Sequence, residues 1–327
     1  MSGVRTARVF LYQRERGDMI TEQQRQRRAN GIFASDVARI MTGYGVEVAL
    51  EKMGEREPMD LDDMPSVQLG NVLEGPVLDA YEAMGTIRLM RSLDTAFHPQ
   101  HSWLGCHLDA LEPFANIVVE AKAYSVFNRG DWGEPGTDEV PLARLWQCMA
   151  QMAIYGSPQA DIPVCWVHER NLTQFLTKGT VEIETFVVMR HATLIERMVN
   201  GCGEVWHRVQ QGRLPDPVKL GDARLIYRQD NGSSIEASDD IASLVVERQN
   251  FALQEKIAKE AKEELQDRIE RYMAESSELT YKGRIMATWK KAKDSEKLDV
   301  DRLKLERPNV YAAYLKSQAG SRRFLVK

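Results

Sequence analysis

The sequence is poor in cysteine and contains no long apolar run. Its four cysteines lie far apart along 327 residues, and no two of them form a Cys-x-x-Cys motif. This spacing argues against a zinc or iron–sulfur site and fits reduced thiols in a cytosol. No apolar run approaches the roughly 18 residues that cross a bilayer, and the arginine-rich first residues do not resemble a signal peptide. We therefore expect a cytoplasmic globular protein without a membrane segment. The cysteines are Cys106, Cys148, Cys165 and Cys202.

A strong excess of charge of one sign is also missing. The net charge is −5 at pH 7, and 43% of the residues are hydrophobic and 28% charged, as in ordinary globular proteins. This balance does not indicate a nucleic-acid-binding protein, although a local basic surface would be sufficient for binding. Arginines cluster near the N-terminus, but such clusters are more often solvated helix faces. They are Arg14, Arg16, Arg25, Arg27 and Arg28.

Several catalytic motifs are absent. The sequence has no Gly-x-Ser-x-Gly elbow, no Gly-x4-Gly-Lys-[Ser/Thr] loop, no Gly-x-Gly-x-x-Gly and no His-Glu-x-x-His. These absences argue against the hydrolases, nucleotide-binding proteins and zinc proteases that use those motifs. His107 and Asp109 form a His-x-Asp pair that could hold a metal, but a single pair of this kind is common by chance.

Hydrophobic periodicity predicts helices, then three strands, a helix, two strands and a long helix. That order predicts an α/β fold with a mixed central sheet flanked by helices. The composition changes beyond the turn signal Asp230-Asn231-Gly232, where a highly charged helical run covers residues 241–278. We therefore predict a core domain over residues 1–230. Residues 231–327 are predicted to form a C-terminal helical extension with a short strand, packed on the core.

The most informative segment, residues 106–124, reads CHLDALEPFANIVVEAKAY. In a strand over Ile117–Ala123, Glu120 and Lys122 share one face because strand side chains alternate. Asp109 ends the preceding apolar run, and a turn at Ala115-Asn116 would bring it alongside Glu120 in a hairpin. Two carboxylates and a lysine at one point favour a magnesium or manganese site. The alternative is a solvated face with an ion pair.

The spacing Asp109-x10-Glu120-x-Lys122 resembles the PD-(D/E)xK nuclease signature, although Leu108 stands in place of its proline. Other segments extend the resemblance over most of the chain. Together they are similar to the phage λ exonuclease-like family, also called YqaJ-like viral recombinases. The segments are RRANGIFASDVARIM (27–41), GNVLEGPVLDAY (70–81), LDALEPFANIVVEAKAY (108–124), LWQCMAQMAIYG (145–156) and the ending RPNVYAAYLKSQAGSRRFLVK (307–327).

This resemblance implies a restriction-endonuclease-like core with two Mg²⁺ ions at the active site, for which Mn²⁺ substitutes. It puts the metal ligands at Asp109, Glu120, the backbone carbonyl of Ala121 and Glu74. Lys122 would orient or deprotonate the attacking water, which suits a lysine whose pKa is lowered by its site. The other positions implied are Gln147 near the water or phosphate, Gln151 as a possible supporting residue, and Arg28 with Ser35 at a 5′-phosphate. Ser35 is also the expected N-cap of the helix SDVARIM.

The activity implied by the resemblance is that of a magnesium-dependent 5′-to-3′ exonuclease on linear double-stranded DNA. It would leave 3′ single-stranded overhangs for phage-type recombination with a single-strand annealing protein. The family also implies a ring-shaped homotrimer, encoded by a phage or prophage and located in the cytoplasm of a bacterial host. The alternatives are a restriction-like endonuclease or junction resolvase on the same core, and a member that only binds DNA. The complete set of Glu74, Asp109, Glu120, Lys122 and Gln147 argues against the last of these, because a protein that only binds DNA would have no need of the lysine.

Overall fold

The computed structural model describes residues 30–58, 64–85, 87–316 and 320–326. The arginines predicted as a cluster, Arg28 among them, therefore lie outside the described residues. Contacts between residues divide the chain into two compact units, Met1–Ile226 and Tyr227–Lys327. The packing of a C-terminal extension on the core stays a prediction.

The first unit combines short strands with longer helices. Its strands are β1 (Ile32–Phe33), β2 (Met90–Arg91), β3 (Ala96–Phe97), β4 (Leu104–Cys106), β5 (Ala110–Glu112), β6 (Ile117–Val119), β7 (Lys122–Ser125), β8 (Gln159–Val167) and β9 (Glu184–Met189). Its helices are α1 (Ala34–Arg39), α2 (Gly45–Lys52), α3 (Pro65–Gly85), α4 (Leu142–Tyr155), α5 (Glu169–Lys178), α6 (Ala192–Gln210) and α7 (Asp222–Ile226).

The central sheet has six strands and is mixed, as predicted. The hairpin of β5 and β6 is antiparallel, β6 and β7 run parallel to β8, and β9 pairs antiparallel with β8. β2 pairs with β5 at the far edge. Because β6 and β7 both pair with β8 at the same offset, they form one strand that is interrupted at Glu120-Ala121. The predicted strand over Ile117–Ala123 is thus present, with a break at its charged centre.

Helices cover both faces of this sheet. On one face, Leu73, Val77 and Leu78 of α3 pack with Val119, Ala121 and Cys165. On the other, the apolar residues of α4 belong to the larger core that includes Val118, Ile162 and Val164. The alternation predicted for the strand is therefore confirmed. α3 also runs as a single helix through Pro76.

A smaller sheet joins β1, β4 and β3 at the start of the first unit. α1 follows β1 directly, and a π-helical segment (Ile40–Tyr44) links α1 to α2. Phe33, not Ser35, occupies the N-cap position of α1, so the cap predicted at Ser35 is wrong. The reason is that the Asp36 carboxylate reaches back and accepts the Phe33 N–H at 3.0 Å, which starts the helix one residue before Ser35.

The second unit is dominated by one long helix. It contains α8 (Asp239–Met273), the antiparallel pair β10 (Glu278–Tyr281) and β11 (Arg284–Thr288), and the short helices α9 (Val300–Glu306) and α10 (Pro308–Ala313). The charged helix predicted over residues 241–278 is therefore present with shifted ends. Among the helices described in either unit, none has the length and apolar character needed to cross a membrane.

Candidate active site

The β5–β6 hairpin brings two carboxylates together. Ala110 pairs with Val119, so Asp109 just before β5 and Glu120 just after β6 lie next to each other across the hairpin. The backbone N–H of Ala121 donates to Asp109 Oδ2 at 2.9 Å. This contact ties the end of β5 to the break between β6 and β7. The hairpin predicted from the sequence is thus confirmed.

Glu120 lies at the centre of a cluster that includes Asp109 and Lys122. Its side chain is only 4% exposed, and its backbone N–H donates to the carbonyl of Asp161 on β8 at 2.9 Å. The Lys122 ammonium donates to Glu120 Oε1 and, at 3.1 Å, to the carbonyl oxygen of Ala121. A buried carboxylate needs such partners, because an unpaired charge in a core is strongly unfavourable. The solvated-face alternative for this pair is therefore wrong.

Helix α4 supplies two further donors to the same carboxylate. Gln147 and Gln151 are four residues apart and therefore lie on one face of the helix. The Nε2 amide of Gln147 donates to Glu120 Oε1, and that of Gln151 donates to Glu120 Oε2. Gln151, predicted only as a possible supporting residue, contacts Glu120 as directly as Gln147 does. Both oxygens of Glu120 are thus held from the α4 side.

Helix α3 approaches from the other side of the sheet. Tyr81 donates its hydroxyl proton to Asp161 Oδ2 at 2.5 Å, and Gln159 donates to Asp161 Oδ1 at 2.7 Å. This contact fixes α3 along β8. Glu74, two turns earlier on α3, is half-buried, and its negative charge acts on Asp109. Glu74 is therefore near enough to Asp109 to act on its charge.

The environment of Asp109 disfavours its ionised form. Burial raises the pKa of the Asp109 carboxyl well above its usual range, and the negative charges of Glu120 and Glu74 raise it further. Lys122 and the Ala121 N–H act in the opposite direction but do not compensate. Without a further positive charge nearby, the Asp109 carboxyl therefore favours its neutral form.

Lys122 departs from the expectation drawn from the sequence. Burial lowers the pKa of Lys122, but the negative charges of Glu120 and Asp109 outweigh burial and raise that pKa above its ordinary value. The predicted lowered pKa is therefore wrong for this arrangement of charges. In this arrangement of charges, the Lys122 ammonium is a positively charged donor to Glu120.

The unfavourable ionisation of buried Asp109 predicts an effect on thermal stability. Asp109→Asn should raise the Tm at pH 7 in the presence of a chelator, by about 2–4 °C for each kcal/mol recovered. A carboxyl whose pKa is raised by folding costs stability at every pH above its ordinary pKa, and asparagine removes that cost. Asparagine can still accept the Ala121 N–H. Thermal unfolding followed by circular dichroism measures the change.

The gain in Tm should shrink as the pH falls toward the ordinary carboxyl pKa, where Asp109 is protonated in both the folded and the unfolded chain. Asp301→Asn is the matched control, because the Asp301 side chain is 95% exposed. A Tm of Asp109→Asn below that of the parent at pH 7 would contradict this account of the cluster.

The donors of the cluster fit a hard divalent cation by their chemistry. Asp109, Glu120 and Glu74 offer carboxylate oxygens, and Ala121 offers a carbonyl oxygen, which are the ligands preferred by Mg²⁺ and Mn²⁺. A cation would also relieve the repulsion that raises the pKa of Asp109. Within the ranges that the structure describes, no three His, Cys, Asp or Glu side chains converge as a preformed ligand group. Glu120 instead uses its oxygens to accept from Lys122, Gln147 and Gln151.

Other predicted positions have different outcomes. Ser35 is exposed in the first turn of α1, and Arg28 lies outside the described residues. His107 is exposed and joins no such ligand group in the described chain, which does not support the His-x-Asp pair as a metal site. Arg144 was missed, although it contacts Gln147 directly. The only signal for it in the sequence is its position three residues before Gln147 on the same helix.

The sequence match follows the geometry. Residues 24–158 match the family model of the YqaJ-like viral recombinase domain. Over these residues the chain is similar to the YqaJ-like family. The matched segment, here called the YqaJ-like domain, contains Glu74, Asp109, Glu120, Lys122 and Gln147, so the cluster lies inside it. At the level of the family, the match supports a phage-type exonuclease.

Solved structures show a partial likeness to the chain that carries the YqaJ-like domain. An alkaline exonuclease from Laribacter hongkongensis, LHK-Exo, is 16% identical, with a TM-score of 0.46 over 59% of this chain and 94% of that one. The same values hold for LHK-Exo in complex with dAMP. A phage-related exonuclease from Haemophilus somnus 129PT is 13% identical, with a TM-score of 0.44 over 55% of this chain and 94% of that one. No curated protein matches the sequence.

Proposed function

We propose that the YqaJ-like domain is a Mg²⁺-dependent 5′-to-3′ exonuclease on linear double-stranded DNA, with a restriction-endonuclease-like core. The observation that carries the proposal is the buried Glu120 carboxylate, which accepts from Lys122 and lies beside Asp109 at a break in the central strand. A structural ion pair would not need a second carboxylate with a raised pKa next to it. The family match supports the same class of activity.

Each residue has a proposed role in hydrolysis of the phosphodiester. Asp109, Glu120, Glu74 and the Ala121 carbonyl would hold Mg²⁺, with Mn²⁺ as a substitute and two ions in all. Bound ions of this kind act as Lewis acids and lower the pKa of water. Lys122, protonated, would orient the attacking water and stabilise the negative charge that develops on the phosphate. Gln147 and Gln151 would keep Glu120 in place throughout.

The proposed 5′-to-3′ direction is accompanied by a proposed site for a 5′-phosphate at Arg28 and Ser35. Ser35 is exposed and is not consumed as an N-cap, so its hydroxyl is accessible to a ligand. An arginine fork and a hydroxyl suit a phosphate oxygen. Digestion from the 5′ end would leave 3′ single-stranded overhangs. We further propose that a single-strand annealing protein uses these overhangs in phage-type recombination, and that the chain forms a homotrimer in a bacterial cytoplasm.

A time course on defined DNA tests the function. Linear duplexes labelled separately at each 5′ and each 3′ end are compared with the same DNA as a covalently closed circle, with and without Mg²⁺. We expect loss of the 5′ label first, no digestion of the circle, and slower digestion when the 5′ end carries a hydroxyl instead of a phosphate. The comparison of 5′-hydroxyl with 5′-phosphate ends tests only the proposed phosphate site at Arg28 and Ser35.

The alternatives predict different products in the same assay. Cleavage of the closed circle would indicate a restriction-like endonuclease, and cleavage confined to four-way junctions would indicate a resolvase. Retention of both labels with DNA bound would indicate a member that only binds DNA. Early loss of the 3′ label would overturn the polarity while leaving the nuclease assignment in place.

A further inference from the structure

Arg144 extends the cluster by one residue beyond the positions assigned so far. It lies in the first turn of α4 and is half-buried. Its Nη1 donates to Gln147 Oε1 at 2.7 Å, and Gln147 in turn donates to Glu120 Oε1, which also accepts from Lys122. A chain of hydrogen bonds thus runs from Arg144 to the carboxylate at the centre of the site.

The chemistry of the donors makes this chain directional. An arginine side chain has only donors, so it can bind only the oxygen end of the Gln147 amide. An ionised carboxylate has only acceptors, so Glu120 must meet the nitrogen end. A reversed amide would set donor against donor at Arg144 and acceptor against acceptor at Glu120. Arg144 and Glu120 therefore select the same orientation of the Gln147 amide, and Arg144 fixes its far end.

The place of Arg144 on its helix is unfavourable by local rules. The N-terminus of a helix carries partial positive charge, so a cation in the first turn is destabilising there. The first turn of α4 contains no acidic residue, and no carboxylate in the described part of the chain forms an ion pair with Arg144. A residue that breaks a local rule without an ion pair to offset it is expected at a functional site.

The Gln151 amide, unlike that of Gln147, has no arginine at its oxygen end. Its Nε2 donates to Glu120 Oε2, but its buried Oε1 has no hydrogen-bond partner among the described residues. Of the two glutamines that hold Glu120, Gln147 is therefore the one whose far end is fixed by a permanent charge. The two amides are otherwise matched, one helical turn apart on α4.

We propose that Arg144 is a positioning residue of this site. It holds the Gln147 amide so that its NH₂ group faces Glu120, and it acts on hydrolysis through Gln147 without contacting DNA. This inference rests on the proposed nuclease function. The role requires one N–H donor at one distance, so lysine can replace arginine in part, whereas an apolar side chain of similar length cannot.

A double-mutant cycle tests the proposal in the full-length chain. Arg144→Met should lower kcat on linear duplex roughly 10- to 100-fold, the order expected when a catalytic group is displaced by about 1 Å. KM for DNA should change by less than about twofold, and Arg144→Lys should recover most of kcat. In the Gln147→Met background, Arg144→Met should add less than about a twofold loss, because residues that act through one contact are not additive. Arg170→Met, which removes an exposed ion pair to Glu182, is the matched control and should change neither constant.

Two results would overturn the positioning role. Losses in kcat that multiply in the double variant would mean that Arg144 acts independently of Gln147. A rise in KM at unchanged kcat would mean that it binds DNA. The same cycle in Tm, measured without DNA, should also be non-additive. A parent protein without cleavage would refute the proposed function, and the cycle in Tm would then decide the link between Arg144 and Gln147 by itself.

Discussion

Replacing Lys122 with alanine should lower the rate of cleavage of linear duplex DNA by roughly 10²- to 10³-fold, the order lost when a donor to developing negative charge is removed. Lys122 is 18% exposed and stays protonated, so it brings a full positive charge to the carboxylate cluster. DNA binding in Ca²⁺ should change little, because Asp109, Glu120 and Glu74 remain. Cleavage is measured under single-turnover conditions, and binding by a mobility shift.

Two variants sharpen the test of Lys122. Lys178→Ala removes an exposed lysine from α5 and should cleave DNA at the parent rate. Lys122→Arg keeps the positive charge and should retain more activity than Lys122→Ala, since the proposed role is that of a cation and not of a base. Cleavage by Lys122→Ala within about tenfold of the parent rate would remove this residue from the mechanism.

Removal of divalent cations should abolish cleavage, and Mg²⁺ or Mn²⁺ should restore it. The ligand set of carboxylate and carbonyl oxygens suits these ions, and the repulsion that raises the pKa of Asp109 is relieved by a cation. Ca²⁺ should support DNA binding without cleavage, because its longer and less regular coordination misplaces the reacting groups. The readout is the single-turnover rate of chelator-treated protein after each ion is added back.

The response of stability to the same ions is a second readout that does not depend on activity. Mg²⁺ should raise the Tm of the parent by mass action, and should raise the Tm of Asp109→Asn much less. Full-rate cleavage by chelator-treated protein would exclude a divalent cation from the reaction. Equal Tm increases in the parent and in Asp109→Asn would place the ion elsewhere.

Local periodicity was sufficient to predict much of the site. Strand alternation places Glu120 and Lys122 on one face, and helical spacing places Gln147 and Gln151 on one face of α4. The hairpin followed from a turn signal between two apolar runs. These inferences depend only on neighbours in the chain, and the structure confirms each of them.

Local preferences of single residues did not predict where helices begin or continue. Ser35 was a suitable N-cap by type, but Asp36 accepts the Phe33 N–H and the helix begins earlier. Proline disfavours the interior of a helix, yet α3 continues through Pro76 while its apolar side packs on the sheet. In both cases a tertiary or neighbouring contact outweighed a local preference of the residue itself.

By itself, the sequence determined which residues share a face: Glu120 with Lys122 on one strand, and Gln147 with Gln151 on one helix. Only the tertiary structure decided that the glutamine face of α4 meets Glu120, that Arg144 fixes the Gln147 amide, and that the pKa of Lys122 is raised. The physical reason is the distance along the chain over which each effect acts. Side-chain alternation is a property of a few consecutive residues, whereas the sign of a pKa shift depends on the balance between burial and charges brought from distant segments.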